Sequence, residues 1–150
     1  MNNFKDILYE SLLFSFGKVL AQYNTFAQGA ILKEIGKEVI DYLKRNGFDY
    51  GETDSLEDVQ KLMNMFIKNG FADLKLEPAE KGDKYIWNNL YGIRAYYELQ
   101  KITDNPFLSC PLNASITYLA ERNGKTLKLH SQSFDPERGY AESVEEIVDK

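Results

Sequence analysis

Apolar residues recur at helical spacing through the first half of the chain, and the period shortens to two after Gly70. From Phe4 to Tyr23, the positions Phe4, Ile7, Leu8, Leu12, Val19 and Leu20 fall on one helical stripe. Leu13, Phe14 and Phe16 widen that stripe until more than one face is apolar. Such a helix is either central in the domain or shared with a second subunit. An N-terminal helix is seldom central in a chain of this size, so the pattern favours a homodimer contact through Leu13, Phe14 and Phe16. Asn24 or Thr25 is placed to cap a second helix over Phe26 to Arg45, with Ala27, Ala30, Ile31, Ile35, Val39, Tyr42 and Leu43 as its core stripe. Asn46-Gly47-Phe48 ends it with a left-handed cap and a hydrophobic contact. After the loop Asp49 to Thr53, Asp54-Ser55-Leu56-Glu57 has the spacing of a capping box, with Asp in the capping place. Leu56, Val59, Leu62, Met63, Phe66 and Ile67 make the third stripe, and Asn69-Gly70-Phe71 repeats the stop.

Beyond this point Ala72, Leu74 and Leu76 alternate with Asp73, Lys75 and Glu77, the pattern of a half-buried strand. A turn over Pro78 to Asp83 leads to a partner strand from Lys84 to about Tyr91, making an antiparallel hairpin. Tyr91 to Ile102 fits a short helix or a strand, and Asp104-Asn105-Pro106 breaks it. Pro111 sits where the first residue of a helix belongs, after Ser109 and Cys110. Leu112, Ile116, Leu119 and Ala120 follow at helical spacing up to Asn123-Gly124. Lys125 to Phe134 and Tyr140 to Val148 read as strands around a turn at Asp135 to Gly139. Three helices, a hairpin, a helix and a second hairpin predict a single α+β domain over residues 1–150, its antiparallel sheet backed by helices.

Charge and composition narrow the function classes. Lys and Arg total 18 against 23 for Asp and Glu in 150 residues, a net charge of −5. That balance offers no general field for nucleic acid or an anionic membrane surface. Residues 26 to 91 overlap the order of a winged helix, but the candidate recognition helix, Ser55 to Asn69, carries Lys61 and Lys68 against Glu57 and Asp58 and has no Arg. One Cys and one His make neither an internal disulfide nor a Cys/His zinc site. Charges interrupt the N-terminal apolar stretch too often for a membrane span or a good signal segment, so a cytoplasmic protein is expected. No phosphate-binding glycine loop, nucleophile elbow, HExxH or EF-hand loop occurs. No cofactor, metal site or catalytic residue is assigned.

Three features remain as candidate chemistry. Cys110 precedes a helix N-terminus, where free N–H groups lower a thiol pKa, and His130 lies on the next strand; together they define the alternative of a thiol enzyme. The acidic pairs Glu34/Glu38, Glu57/Asp58 and Glu145/Glu146 read as solvated faces. Tyr85, Trp87, Tyr91, Tyr96, Tyr97, Phe107 and Tyr118 are mostly core and sheet surface, yet so many aromatics also suit an apolar pocket between sheet and helices. Gly17, Gly29 and Gly36 lie inside predicted helices, where each costs about 1 kcal/mol against Ala. Close helix packing is the usual reason, and room for a ligand beside the second helix is another.

The stretches AILKEIGKEVIDYL, LEDVQKLMNMFIKNGFADLKL and SCPLNASITYLAERNGKTLKL, with Gly139 in the final turn, resemble in order and spacing the 4-vinyl reductase domain, the predicted hydrocarbon-binding family, over about residues 27 to 148. That resemblance implies helices packed on a small antiparallel sheet, a fold like that of TRAPP trafficking subunits, a homodimer, and binding of a small hydrocarbon-like ligand. Cys110 matches the family's Cys ahead of the last helix, whereas Ser131, Ser133 and Ser143 stand where further Cys residues are common. The leading expectation is therefore a module that is not an enzyme and that holds an apolar ligand near Trp87, Tyr91, Phe107, Cys110 and His130. A dimeric assembly subunit without ligand is the remaining alternative.

Overall fold

The computed structural model describes residues 3–150, which form α1 (Phe4–Leu20), α2 (Thr25–Arg45), α3 (Glu57–Lys68), β1 (Asp73–Pro78), β2 (Asp83–Asn88), α4 (Ile93–Leu99), α5 (Pro111–Arg122), β3 (Lys125–Asp135) and β4 (Tyr140–Asp149). The strands make one antiparallel sheet in the order β1-β2-β4-β3, so the expected α+β class holds, with the sheet backed by helices. No helix among the described residues is long and apolar enough to cross a membrane.

Helix α5 lies at the centre, packed on α2, α3 and β3. Leu112, Ile116, Leu119 and Ala120 are buried as their spacing predicts, and so are Asn113, Ala114, Ser115 and Thr117. Burial of these hydroxyls is cheap because each donates to a carbonyl one turn back, Ser115 to Pro111 and Thr117 to Asn113. Small residues also let the backbones close up. A Cβ on Gly36 of α2 would lie 2.1 Å from the Ala114 carbonyl oxygen, and one on Gly17 of α1 would lie 2.5 Å from Leu99 of α4. Gly29 differs: a Cβ there meets nothing within 4 Å.

Helix ends follow local chemistry. The side chains of Asn3 and Asn24 accept the N–H groups of Asp6 and Ala27, which fixes the starts of α1 and α2. The expected capping box before α3 does not form. Asp58 instead turns back to accept from Thr53 N–H, Thr53 Oγ1 and Asp54 N–H, and the helix begins at Glu57. The second strand stops at Asn88 rather than near Tyr91 because Asn89 (φ 55°) and Gly92 (φ 80°) turn the chain in left-handed conformations. The ambiguous segment after them is helical, as α4.

Helix α1 packs on α4 through one side only. Leu13 belongs to the main core and Phe14 packs against it, so these two are occupied within the chain and leave Phe16 alone of the three expected dimer contacts on the surface. The free face carries Phe4, Ile7, Leu8, Leu12, Phe16 and Val19. Both sides of this helix are apolar, and the side that meets α4 is the one where Gly17 allows the close approach of Leu99.

The glycines supply a test of this packing. Gly36→Ala should lower stability by about 2 kcal/mol through its clash with a backbone carbonyl. Gly29→Ala should raise it by roughly 0.5–1 kcal/mol through helix propensity. Urea denaturation measures both, and shifts of the same sign would remove the packing explanation.

Candidate functional site

The site begins with the alternation of β4, whose inward positions are Ala141, Ser143, Glu145 and Ile147. Across the ladder, Ser143 faces Tyr85 and Ala141 faces Trp87 on β2, while Glu145 faces Leu129 on β3. The Trp87 indole N–H donates to Ser143 Oγ at 3.2 Å, and Ser143 Oγ donates to Glu145 Oε2 at 2.8 Å. Glu145 is 7% exposed and takes part in none of the salt bridges among the described residues. Desolvation pushes its carboxyl up to about 7, and the Ser143 hydrogen bond offsets only part of that rise.

Glu145 and Asn113 stand between two internal spaces. On one side Tyr85, Trp87, Phe107, Cys110 and Ile116 surround a gap of about 10 Å³, room for one water at most. On the other, Gly29, Leu32, Leu108, Thr117, Leu127 and Leu129 line a chamber of about 120 Å³. Thr25, Gln28, Asn105, Thr126, Leu127 and Leu129 are shared between that chamber and an open groove of about 780 Å³, rimmed by Lys101, Asp104 and Lys128. Solvent therefore reaches toward Glu145 between the start of α2, the α4–α5 loop and β3.

Of the expected site residues, Trp87, Phe107 and Cys110 converge on the small gap. Tyr91 lies elsewhere, half exposed: its ring stacks at a tilt on Tyr9 with centroids 4.7 Å apart, and its hydroxyl donates to Asp6 Oδ1 at 3.0 Å. It borders a separate apolar cleft of about 270 Å³ with Leu43, Phe48, Met65 and Phe66. His130 is also apart. It is the extra residue of a bulge between Leu129 and Ser131, on the exposed side of β3, with Nε2 2.9 Å from Glu146 Oε1. That bulge resets the alternation, so that Leu129 and Phe134 both face inward and Phe134 meets Phe107 with centroids 5.6 Å apart.

The aromatic cluster thus divides into an inner group, Tyr85, Trp87, Tyr96 and Phe107, and outer residues Tyr91, Tyr97 and Tyr118. Cys110 is buried, and desolvation raises its thiol pKa despite the opposing backbone N–H groups of Asn113 and Leu112. The fully buried Tyr96 hydroxyl lies beside it, satisfied by no nitrogen or oxygen. A buried thiol held neutral and a surface imidazole held by Glu146 do not form the Cys–His pair considered from the sequence. Among the described residues no group of three or more His, Cys, Asp or Glu is placed to hold a metal ion.

Sequence reasoning placed Glu145 with Glu146 on a solvated face, whereas Glu145 is buried, and it missed Ser143, Asn113 and Thr117. The one available signal was strand parity, since Glu145 shares its face with Ala141, Ser143 and Ile147. The opposite face, Glu142, Val144, Glu146 and Val148, is just as mixed, so parity alone does not say which acid turns inward.

The raised Glu145 pKa has a definite sign in folding. Below pH 4.5 the acid is protonated in both states and adds no penalty. Between 4.5 and about 7 the unfolded chain ionises while the folded one does not, so stability falls as pH rises. Integrated over that window the loss is roughly 3 kcal/mol. Glu145→Gln should remove this fall, leaving the variant more stable than the parent at pH 8 and about equal to it near pH 4.5. Thermal unfolding across that range checks it; parallel curves for the two proteins would contradict the burial described here.

No protein family's sequence profile matches this chain, and no curated protein or solved structure is similar to it.

Proposed function

We propose that this chain is a small-molecule binding module that takes an apolar ligand between its sheet and its helices. The observation that carries this reading is the chamber of about 120 Å³ beside α2, continuous with an open groove and left unfilled at Gly29. A cavity of about 150 Å³ holds benzene, so by volume a ring or a short chain fits this one. The walls combine Leu32, Leu108, Leu127 and Leu129 with polar side chains of Thr25, Gln28, Asn105, Asn113, Thr117, Thr126 and Glu145, which are able to orient a ligand. Burying about 200 Å² of ligand surface contributes roughly 5 kcal/mol before ordering costs, so the apolar part alone gives weak binding. The ligand class is the one implied by the resemblance to the 4-vinyl reductase domain, with the occupied space on the Gly29 side of Glu145 and the Trp87 side as a closed end. A cytoplasmic location goes with this reading, since a lone free thiol is ordinary there.

The test is a titration with toluene, followed by methyl NMR. Shifts should concentrate on Leu32, Leu108, Leu127 and Leu129, and Gly29→Phe should abolish them by filling the chamber. Shifts confined to the cleft lined by Leu43, Met65 and Phe66 would overturn the assignment.

We also propose that the outer face of α1 pairs with a second copy of the chain. Phe4 is 78% exposed and Phe16 61%, with Ile7, Leu8, Leu12 and Val19 between them. Together with Tyr23 and Phe26, the exposed surface is on the order of 800 Å², the area one partner buries in a standard interface. Patches of this size are rare on monomers. Light scattering should give a dimer mass for the parent and a monomer mass for Leu12→Glu/Phe16→Glu, with unchanged circular dichroism. A parent that stays monomeric at tens of micromolar would overturn the pairing.

A further inference from the structure

Glu145 is an unusual residue to find, without a charged partner, at the end of a chamber walled in part by four leucines. Only its Oε2 has a hydrogen-bond partner among the described residues, and that partner is an uncharged hydroxyl already engaged by Trp87. The groups facing it from each packed element are not cationic. Helix α5 presents Asn113, whose amide donates to the Phe107 carbonyl, and Thr117, whose hydroxyl donates to the Asn113 carbonyl. Helix α2 presents Thr25 and Gln28, β3 presents Leu127 and Leu129, and Cys110 heads α5 on the far side. From β2 come Tyr85, raised by burial and by Glu145 itself, and Asp83, the cross-strand neighbour. Of the basic side chains of this part of the sheet, Lys84 pairs with Glu142, and Lys128 stands on the groove rim rather than beside the carboxyl.

A carboxyl so placed has two ways to avoid an uncompensated charge: it keeps its proton, or it receives a cation from outside. A purely structural acid would sit in closed packing with both oxygens satisfied. Here the carboxyl borders a chamber joined to solvent, and a partner is able to arrive from that side. We propose, building on the binding-module reading above, that the ligand is a small apolar amine whose ammonium group pairs with the Glu145 carboxylate while its hydrocarbon part lies along Leu32, Leu108, Leu127 and Leu129. An anionic head group meets like charge at Glu145. A neutral hydroxyl hydrogen-bonds there but gains no charge pairing. The rim residues Lys101 and Lys128 are exposed and oppose entry of a cation only weakly, through water. Below about pH 7 the ammonium ion displaces the Glu145 proton, which leaves to solvent, so one proton is released for each amine bound.

The experiment compares n-hexylamine with hexan-1-ol, two probes of equal chain length. Trp87 is the sole Trp and is bonded through Ser143 to Glu145, so its fluorescence reads occupancy of this network. At pH 8 the amine should bind at least tenfold more tightly than the alcohol. In Glu145→Gln that ratio should fall to about one. In the parent protein at pH 5.5 the ratio should drop by an order of magnitude or more, an arm that needs no variant. If the alcohol binds and the amine binds no better at pH 8, or if the ratio is the same at both pH values, the amine assignment fails and the apolar module stands. If neither probe binds, both readings fall.

Discussion

Everything in this fold is arranged around the need to surround α5 on all sides. A helix with Leu112, Ala114, Ile116, Leu119 and Ala120 buried leaves only a narrow strip near Tyr118 and Arg122 for water, so it requires a layer of helix behind it and a sheet in front. That requirement explains the absence of a side chain at Gly36, where α2 must approach the Ala114 carbonyl. It also explains the self-satisfied hydroxyls of Ser115 and Thr117, which let α5 turn polar positions inward without orphaning them. The sheet adapts in the same way. The bulge at His130 changes which side of β3 faces the helix and brings Phe134 onto Phe107. His130 is thus a consequence of packing, turned outward where Glu146 receives it.

Packing this tight leaves little space, and where the space remains is informative. The aromatic wall around Trp87 closes almost completely, while the opposite side of Glu145 stays open because Gly29 contributes no side chain and the α4–α5 loop stands off from β3. Of the three helical glycines, two serve close packing and the third borders the chamber, so one residue type at one apparent cost has two physical origins. The carboxyl of Glu145 is likewise readable only through its surroundings. The same group beside Lys84 or in water would be an ordinary surface acid; among Leu127, Leu129 and Trp87 it becomes a strong preference for either a proton or a cation.

The sequence carried the fold class and nearly every element, because helical stripes, Asn caps, Asn-Gly-Phe stops and the Pro111 start are local signals. Boundaries slipped where a left-handed residue decided them, as at Asn89 and Gly92, or where Asp58 took over the work of a cap. The site was legible only in part. Trp87, Phe107 and Cys110 do meet, where β2, the α4–α5 loop and the start of α5 line one small gap. Tyr91 falls past the turn at Asn89 and His130 falls on a bulge, and neither departure has a mark in the pattern of apolar residues.

What the chain determined by itself is therefore its sequence of elements and its stock of side chains, the elements set by interactions between residues a few positions apart. Tertiary structure alone decided which face of α1 is left bare, which parity of β4 turns inward, and on which side of Glu145 the open space lies. Those three outcomes depend on contacts between segments far apart in the chain: Gly17 with Leu99, Ser143 with Trp87, and the start of α2 with β3. A carboxyl's charge state and a cavity's shape are properties of such contacts, and no local pattern contains them.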